Sequence, residues 1–348
     1  MIDFRYHLVS IVAVFLALAI GIVLGSTELQ GPAYSLLDKT TSKLQSELGQ
    51  VSSQRDAAQQ QASEGEMYAQ AVQPAVLRDL LTGQRLLIVT EPGAEPSVVS
   101  GLSAAAADAG ATVTGEINLS SRFFDTSGTT QDSLNQVTLD VAQTAGLALD
   151  SSATYQQQAA QVIAGEILTT SLPSSGSSGS SGSRSAGADQ AAAATAMLQA
   201  YAASQFLTTT SKPATPATLA IVVTPQVPPA DGSADQLDQV LIPLVQELAA
   251  KSAATVVVGS SSGSGAGSPI AVLRSNSVSS QVSTVDDADL VSGQTVAIQA
   301  LAVQFGGGKA GSYGFAANGA TAVAPSPVPT PTASPSATAT PPTKKGKK

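Results

Sequence analysis

The chain has 348 residues and a formal net charge of −9, with no cysteine, no tryptophan and a single histidine. That length holds a membrane anchor plus one or two domains, and the lack of cysteine excludes a disulfide framework, a thiolate metal site and a cysteine nucleophile. The last five residues, KKGKK, hold four of the 16 basic side chains, so residues 1–343 set 12 basic against 25 acidic groups, a balance of −13 that argues against a nucleic-acid partner.

The chain begins MIDFRYHLVSIVAVFLALAIGIVLGSTELQ. Between residues 8 and 24 only Ser10 and Gly21 are neither aliphatic, alanine nor aromatic. As a helix these residues rise about 26 Å, and with interfacial ends they span a hydrocarbon core of about 30 Å. A cleaved signal fits less well, because the apolar run is long and Val23-Leu24-Gly25 is a loose cleavage site. Residues 8–25 are therefore expected to be a permanent single-pass anchor. Arg5 before it and Glu28 after it place residues 1–7 in the cytoplasm and the bulk of the chain outside. Ala13, Ala17, Gly21 and Gly25 fall every fourth residue, the small-residue spacing that lets two helix backbones approach closely in lipid.

Residues 26–73 read as a stalk. Leu37, Leu44, Val51 and Ala58 repeat every seven residues, and Thr41, Leu48 and Arg55 fill the alternate register. This is a coiled-coil seam, imperfect at Thr41 and Arg55. A membrane helix with a small-residue face followed by such a seam predicts a parallel homodimer. Pro74 is expected to interrupt the helix.

The pattern then changes. RLLIVTEPG is an apolar run closed by a Pro-Gly turn, SVVSGLSAAAADAGA is helical up to Gly110, and TVTGEI alternates as a strand. This is a strand–helix–strand unit with tight loops. TLAIVVT (218–224) and TVVVG (255–259) read as further strands, as does IAVLR (270–274); ADQLDQVLIPLVQELAAKSA is a helix kinked at Pro243, and residues 293–305 are helical. Helical stretches near 131–148, 155–171 and 189–207 lie between the two halves. Residues 84–324 are thus expected to form one α/β domain, Rossmann-like and doubly wound, with a helical insertion. Residues 173–188, PSSGSSGSSGSRSAGA, read as a flexible loop, and 325–348 as a disordered, basic Pro/Thr/Ser-rich tail.

Chemistry is sparse. His7 sits at the membrane edge, which excludes a Ser-His-Asp arrangement and any histidine-based metal site from the outer domain. GGGKAGS (306–312) departs from a phosphate loop, since Ala310 follows Lys309 and the segment follows a helix. VVVGSSSGSGAGSP (256–269) follows a strand as a dinucleotide loop does, yet the next element reads as a strand, with no helix to receive a pyrophosphate. The distinctive stretch is STVDDADLVSGQ (283–294), in which Asp286, Asp287 and Asp289 cluster before a helix. Such carboxylates hold a divalent ion, act as acid and base, or cap the helix in a solvated loop. The spacing lacks an EF-hand's glycine and distal glutamate, so capping is the expectation. No nucleophile–base pair is visible and no cofactor is implied; the chain is not expected to be an enzyme.

The anchor with VFLALAIGIVLGS, the following heptads, and the segment VSTVDDAD…AIQAL…GGGKAGSYGFAANGATAVAPSP together resemble the actinobacterial copper transport family, the MctB-like proteins. The resemblance covers residues 1 to about 327. It implies an envelope protein that keeps intracellular copper low, described as an outer-membrane channel, with relatives linked to cell separation through a partner membrane protein. It carries no residue-level copper site. The residues themselves argue against direct copper chemistry, because Cu(I) prefers thiolate and thioether ligands and Cu(II) imidazole, whereas the chain offers one histidine and the distant Met1, Met67 and Met197. Nor do mostly α/β units supply the alternating segments of a β-barrel. Two functions are therefore expected: copper efflux and homeostasis, or a dimeric scaffold acting through an envelope partner.

Overall fold

The computed structural model describes residues 4–28, 30–170, 182–211, 216–225, 237–261, 267–314 and 320–326. The chain divides into two units, Met1–Met67 and Tyr68–Lys348.

The first unit is helical. Helix α1 spans Phe4–Glu28, and α2 begins at Gln30 and runs on to Leu77 in the second unit. Pro74 does not interrupt α2 but lies inside its last turns. Proline removes one hydrogen bond and crowds the preceding turn; here the helix end is held by tertiary contacts instead. Leu77 is fully buried, and Gln73 donates from Nε2 to Thr295 Oγ1 at 3.0 Å.

The second unit is built on a seven-stranded sheet. In chain order, β1 (Arg85–Thr90), α3 (Pro96–Asp108) and β2 (Thr112–Leu119) form the expected strand–helix–strand unit. Pro96 at the start of α3 presets helical φ, and the helix stops before Gly110, which adopts φ +80°. Helices α4 (Gly128–Ala145), α5 (Tyr155–Ile167) and α6 (Gly182–Ala203) form the insertion. Helix α6 starts within the stretch read as a flexible loop, whose earlier residues lie outside the described ones. The chain continues through β3 (Leu207–Ser211), β4 (Leu219–Val223), a π-helical turn (Leu237–Leu241), α7 (Ile242–Lys251), β5 (Ala254–Val258), α8 (Pro269–Ser275), a 3₁₀ turn (Ser277–Ser280), β6 (Ser283–Val285), α9 (Val291–Phe305) and β7 (Ser312–Tyr313).

The strand order is β3-β2-β1-β4-β5-β6-β7. All neighbours are parallel except β2 and β3. Alternate residues feed two cores. Leu86, Ile88, Ile221 and Val256 pack with α3 and α9, whereas Leu87, Val89, Val222 and Val257 pack with α4 to α8. Burial on both faces explains why β1, β4 and β5 read as continuous apolar runs rather than alternating ones.

One reading is corrected here. IAVLR is helix α8, not a strand: Pro269 takes the first turn, and the Ser268 hydroxyl accepts from the Ala271 N–H at 3.2 Å. Pro243 sits where the π-helical turn Leu237–Leu241 passes directly into α7, an irregularity of the helix at the proline. The strands β3, β6 and β7 carry no run long enough to announce them. The tail from residue 327 lies outside the described residues.

Candidate functional site

The residues singled out by sequence lie on α1, on α2 and at the carboxyl edge of the sheet. Arg5–Gly25 is the one stretch among the described residues long and apolar enough to cross a membrane, and none of it is buried within the chain. Ala13, Ala17, Gly21 and Gly25 are exposed on it, and the space beside Gly21 and Gly25 is open. On α2, Leu37, Thr41, Leu44, Leu48, Val51 and Ala58 are likewise exposed.

At the sheet edge, β1 and β4 are neighbours whose chains leave in opposite directions, β1 toward β2 and β4 toward β5. This is the position at which open parallel sheets hold ligands. Glu91 follows β1 here, its N–H donating to Val223 O at 2.9 Å. Its carboxyl group is buried, Oε1 has no hydrogen-bond partner, and burial pushes the pKa up to about 8. The nearby void between Glu95, Val98, Thr224, Gly259 and Asp289 measures about 10 Å³, room for about one water.

The three aspartates do not converge. Asp286 is buried and accepts from Arg274 Nη1 at 2.7 Å; Arg274 also donates from Nε to Thr284 Oγ1 at 2.9 Å and from Nη2 to Tyr313 O at 2.7 Å. One guanidinium therefore ties α8, β6 and β7 together. Gly314 (φ +128°) completes the clamp, because a Cβ there would collide with the Asp286 carboxylate. Asp287 is also buried, and its carbonyl accepts from Leu290 N at 3.0 Å; any side chain at Gly293 would strike that carbonyl. Asp289 accepts from the N–H and hydroxyl of Ser261, both at 2.8 Å. The N-cap residue of α9 is Leu290, whose own side chain makes no cap bond. The solvated-loop expectation does not hold for Asp286 and Asp287, which are interior groups. Arg274 was missed by sequence reasoning, although it is the single basic residue between Lys251 and Lys309 and a buried aspartate needs such a partner.

Among the described residues, no group of three or more His, Cys, Asp or Glu side chains is placed to share a metal ion. Met197 is buried and lines an apolar cavity of about 200 Å³ with Val141, Ala193, Ala196 and Ala200, between α4 and α6. GGGKAGS closes α9 rather than opening a helix, with Gly306 as its C-cap and Lys309 exposed.

A family model described as "Copper transport outer membrane protein, MctB" matches residues 1–325. The copper transporters MctB of Mycobacterium tuberculosis and Mycobacterium bovis are 27% identical to this chain over 316 residues, covering 90% of it and 96% of theirs. The copper transporter MctB of Mycobacterium leprae is 26% identical over 325 residues, covering 93% of this chain and 99% of its own. The match takes in the apolar helix, α2 and the sheet with its buried aspartate segment alike, and on that extent the chain belongs to the MctB family of copper transport proteins.

Proposed function

We propose that this protein is a membrane-anchored component of the cell envelope that lowers intracellular copper. Helix α1 stays in the bilayer with residues 1–7 in the cytoplasm, α2 is a coiled-coil stalk, and the Rossmann-like, doubly wound body lies outside. The observation that carries the reading is the family match running from residue 1 to residue 325, which includes the apolar helix. The orientation rests on Arg5 before the span and Glu28 after it.

Copper is cargo in this reading, not a resident cofactor. With no cysteine, a single histidine and the methionines Met1, Met67 and Met197 far apart in the chain, the sequence offers no cluster of the soft ligands that a tight Cu(I) site uses. The described strands form one open sheet covered by helices on both faces, so a pore requires assembly with further chains. The protein accordingly acts without catalysis, through an envelope protein partner. The experiment is a chromosomal deletion in the source organism, with cell-associated copper measured after copper challenge. Copper should rise in the deletion and return to the parental level with the full chain, but not with residues 26–348 secreted behind a cleavable signal. Equal copper in the deletion and parental strains would refute the role; equal rescue by the secreted body would refute the need for the anchor.

A further inference from the structure

We propose that two copies of this chain pair in parallel along the exposed stripe of α2, with Arg55 as a charged layer that sets the register and keeps the pairing reversible. The inference rests on the anchored reading, which gives every copy the same polarity in the bilayer.

Leu37, Leu44, Leu48 and Val51 are 66%, 52%, 68% and 62% exposed. They lie on one narrow side of a helix otherwise built from serine, glutamine and charged residues. A stripe two positions wide per heptad is narrower than the face a helix turns to a globular core, and it matches a coiled-coil seam. Further along α2 the pattern changes. Ala69, Val72, Gln73 and Leu77, spaced by three and four, are partly or fully buried in the second unit. Among the described residues, the upper stripe therefore stays uncovered, while the lower turns are packed in the second unit.

A second copy is the occupant the charges favour. In a parallel in-register pair, flanking residues meet across the seam five positions apart. Glu47 then faces Ser52, Gln54 faces Gln59, and Gln61 faces Glu66; no like charges oppose. Glu47 is further neutralised on its own helix by Lys43, at 3.7 Å. The connection to the anchor works in the same direction. Helix α1 ends at Glu28 and α2 starts at Gln30, so two anchored copies present their stripes at the same level and at high effective concentration.

Arg55 sits in the seam position between Val51 and Ala58. Its guanidinium pairs with Asp56 of the same helix, Nη2 to Oδ1 at 2.7 Å, both side chains remaining exposed. That cis pair lets Arg55 lie beside Arg55 of the second copy without an unbalanced charge. A charged residue at such a position lowers stability and specifies register, since a slip of one heptad would set Arg55 against Leu48 or Ala62.

The absence of cysteine from the natural chain makes the test direct. Single variants Leu44→Cys and Val51→Cys on the seam, with Ser46→Cys and Ser53→Cys on the outer face, are prepared as full chain in lipid vesicles and oxidised. Disulfide-linked dimers should form at positions 44 and 51 at least tenfold faster than at 46 and 53. Arg55→Leu should lower the dimer dissociation constant in detergent by at least tenfold, and Arg55→Lys should leave it within twofold. Equal rates at seam and outer positions, or no dimer at either, would overturn the pairing. Dimers with Arg55→Leu unchanged would overturn the role of Arg55. Mass spectrometry of the same preparation reads the anchor separately: intact α1 without seam crosslinks sinks the dimer alone, and a mature chain starting at Ser26 or Thr27 with seam crosslinks sinks the anchor alone.

Discussion

Two buried carboxyl groups at the sheet edge, Asp286 and Glu91, differ in their partners. Asp286 is held by Arg274 at 2.7 Å with both side chains at most 5% exposed. Removing one member of such a pair leaves an uncompensated interior charge, which costs about 3–5 kcal/mol. Arg274→Met and Asp286→Asn should each lower unfolding stability by about that amount in urea titration, far beyond the ~1 kcal/mol of a lost helix cap; losses below 1 kcal/mol would show that the clamp is dispensable. Glu91 has no such partner, and burial raises its pKa to about 8. An unfolded glutamate titrates near about 4.3. Between those values the folded state keeps a proton that the unfolded state has released, so stability is greatest at the acid side of the window and falls as pH rises toward 8. Between pH 5 and 8 the natural chain should lose on the order of a few kcal/mol that Glu91→Gln does not lose. Parallel pH profiles for the two proteins would remove this assignment.

At the scale of elements, local chemistry and local pattern disagree at informative places. Helix α8 carries a clear start signal, Ser268 followed by Pro269, yet the short stretch IAVLR reads as a strand because helix and strand cannot be told apart by periodicity over so short a span. Strands β6 and β7 are three and two residues long, too short for any pattern, and exist because Arg274 and the neighbouring strand hold them. The exposed helix α1 and the upper part of α2 make the opposite case, where the pattern is clear and the described residues leave the helix uncovered. If the small-residue face of α1 contributes to pairing, Gly21→Leu combined with Gly25→Leu should reduce the dimer fraction in detergent, because bulk at those positions blocks close backbone approach. An unchanged fraction would assign association to α2 alone.

For the whole molecule the decisive question is how a copper-transport family member works with so few copper ligands. The purified full chain in detergent should compete for Cu(I) no better than an arbitrary protein of its size. Tight sites need two or more soft or imidazole ligands within about 2–2.3 Å of the metal, and Met197 is the one thioether in the second unit. It is buried against alanines. Carboxylates are hard ligands that favour Mg²⁺ or Ca²⁺. A stoichiometric Cu(I) site tighter than micromolar, surviving Met197→Leu in a chelator competition, would restore direct copper handling.

Much of this protein is legible in its sequence for a physical reason: long elements with strong periodicity need no partner to be recognised. The apolar helix, the long helix α2, the runs RLLIVT, LAIVV and ATVVV, and the alanine-rich α3 all declare themselves by composition and period. Other features depend on residues far apart in the chain. The antiparallel placement of β3 beside β2, the turn of IAVLR into a helix, and the burial of Asp286 against Arg274 are all of this kind. Asp286 stands before a helix, where a carboxylate ordinarily caps the first turn, and only the fold brings an arginine from α8 and a backbone carbonyl from β7 to the same point. Glu91 looks in sequence like one more polar residue of a Pro-Gly turn; its raised pKa comes from the packing that removes water around it, and packing is a property of the assembled sheet rather than of the segment that carries the residue.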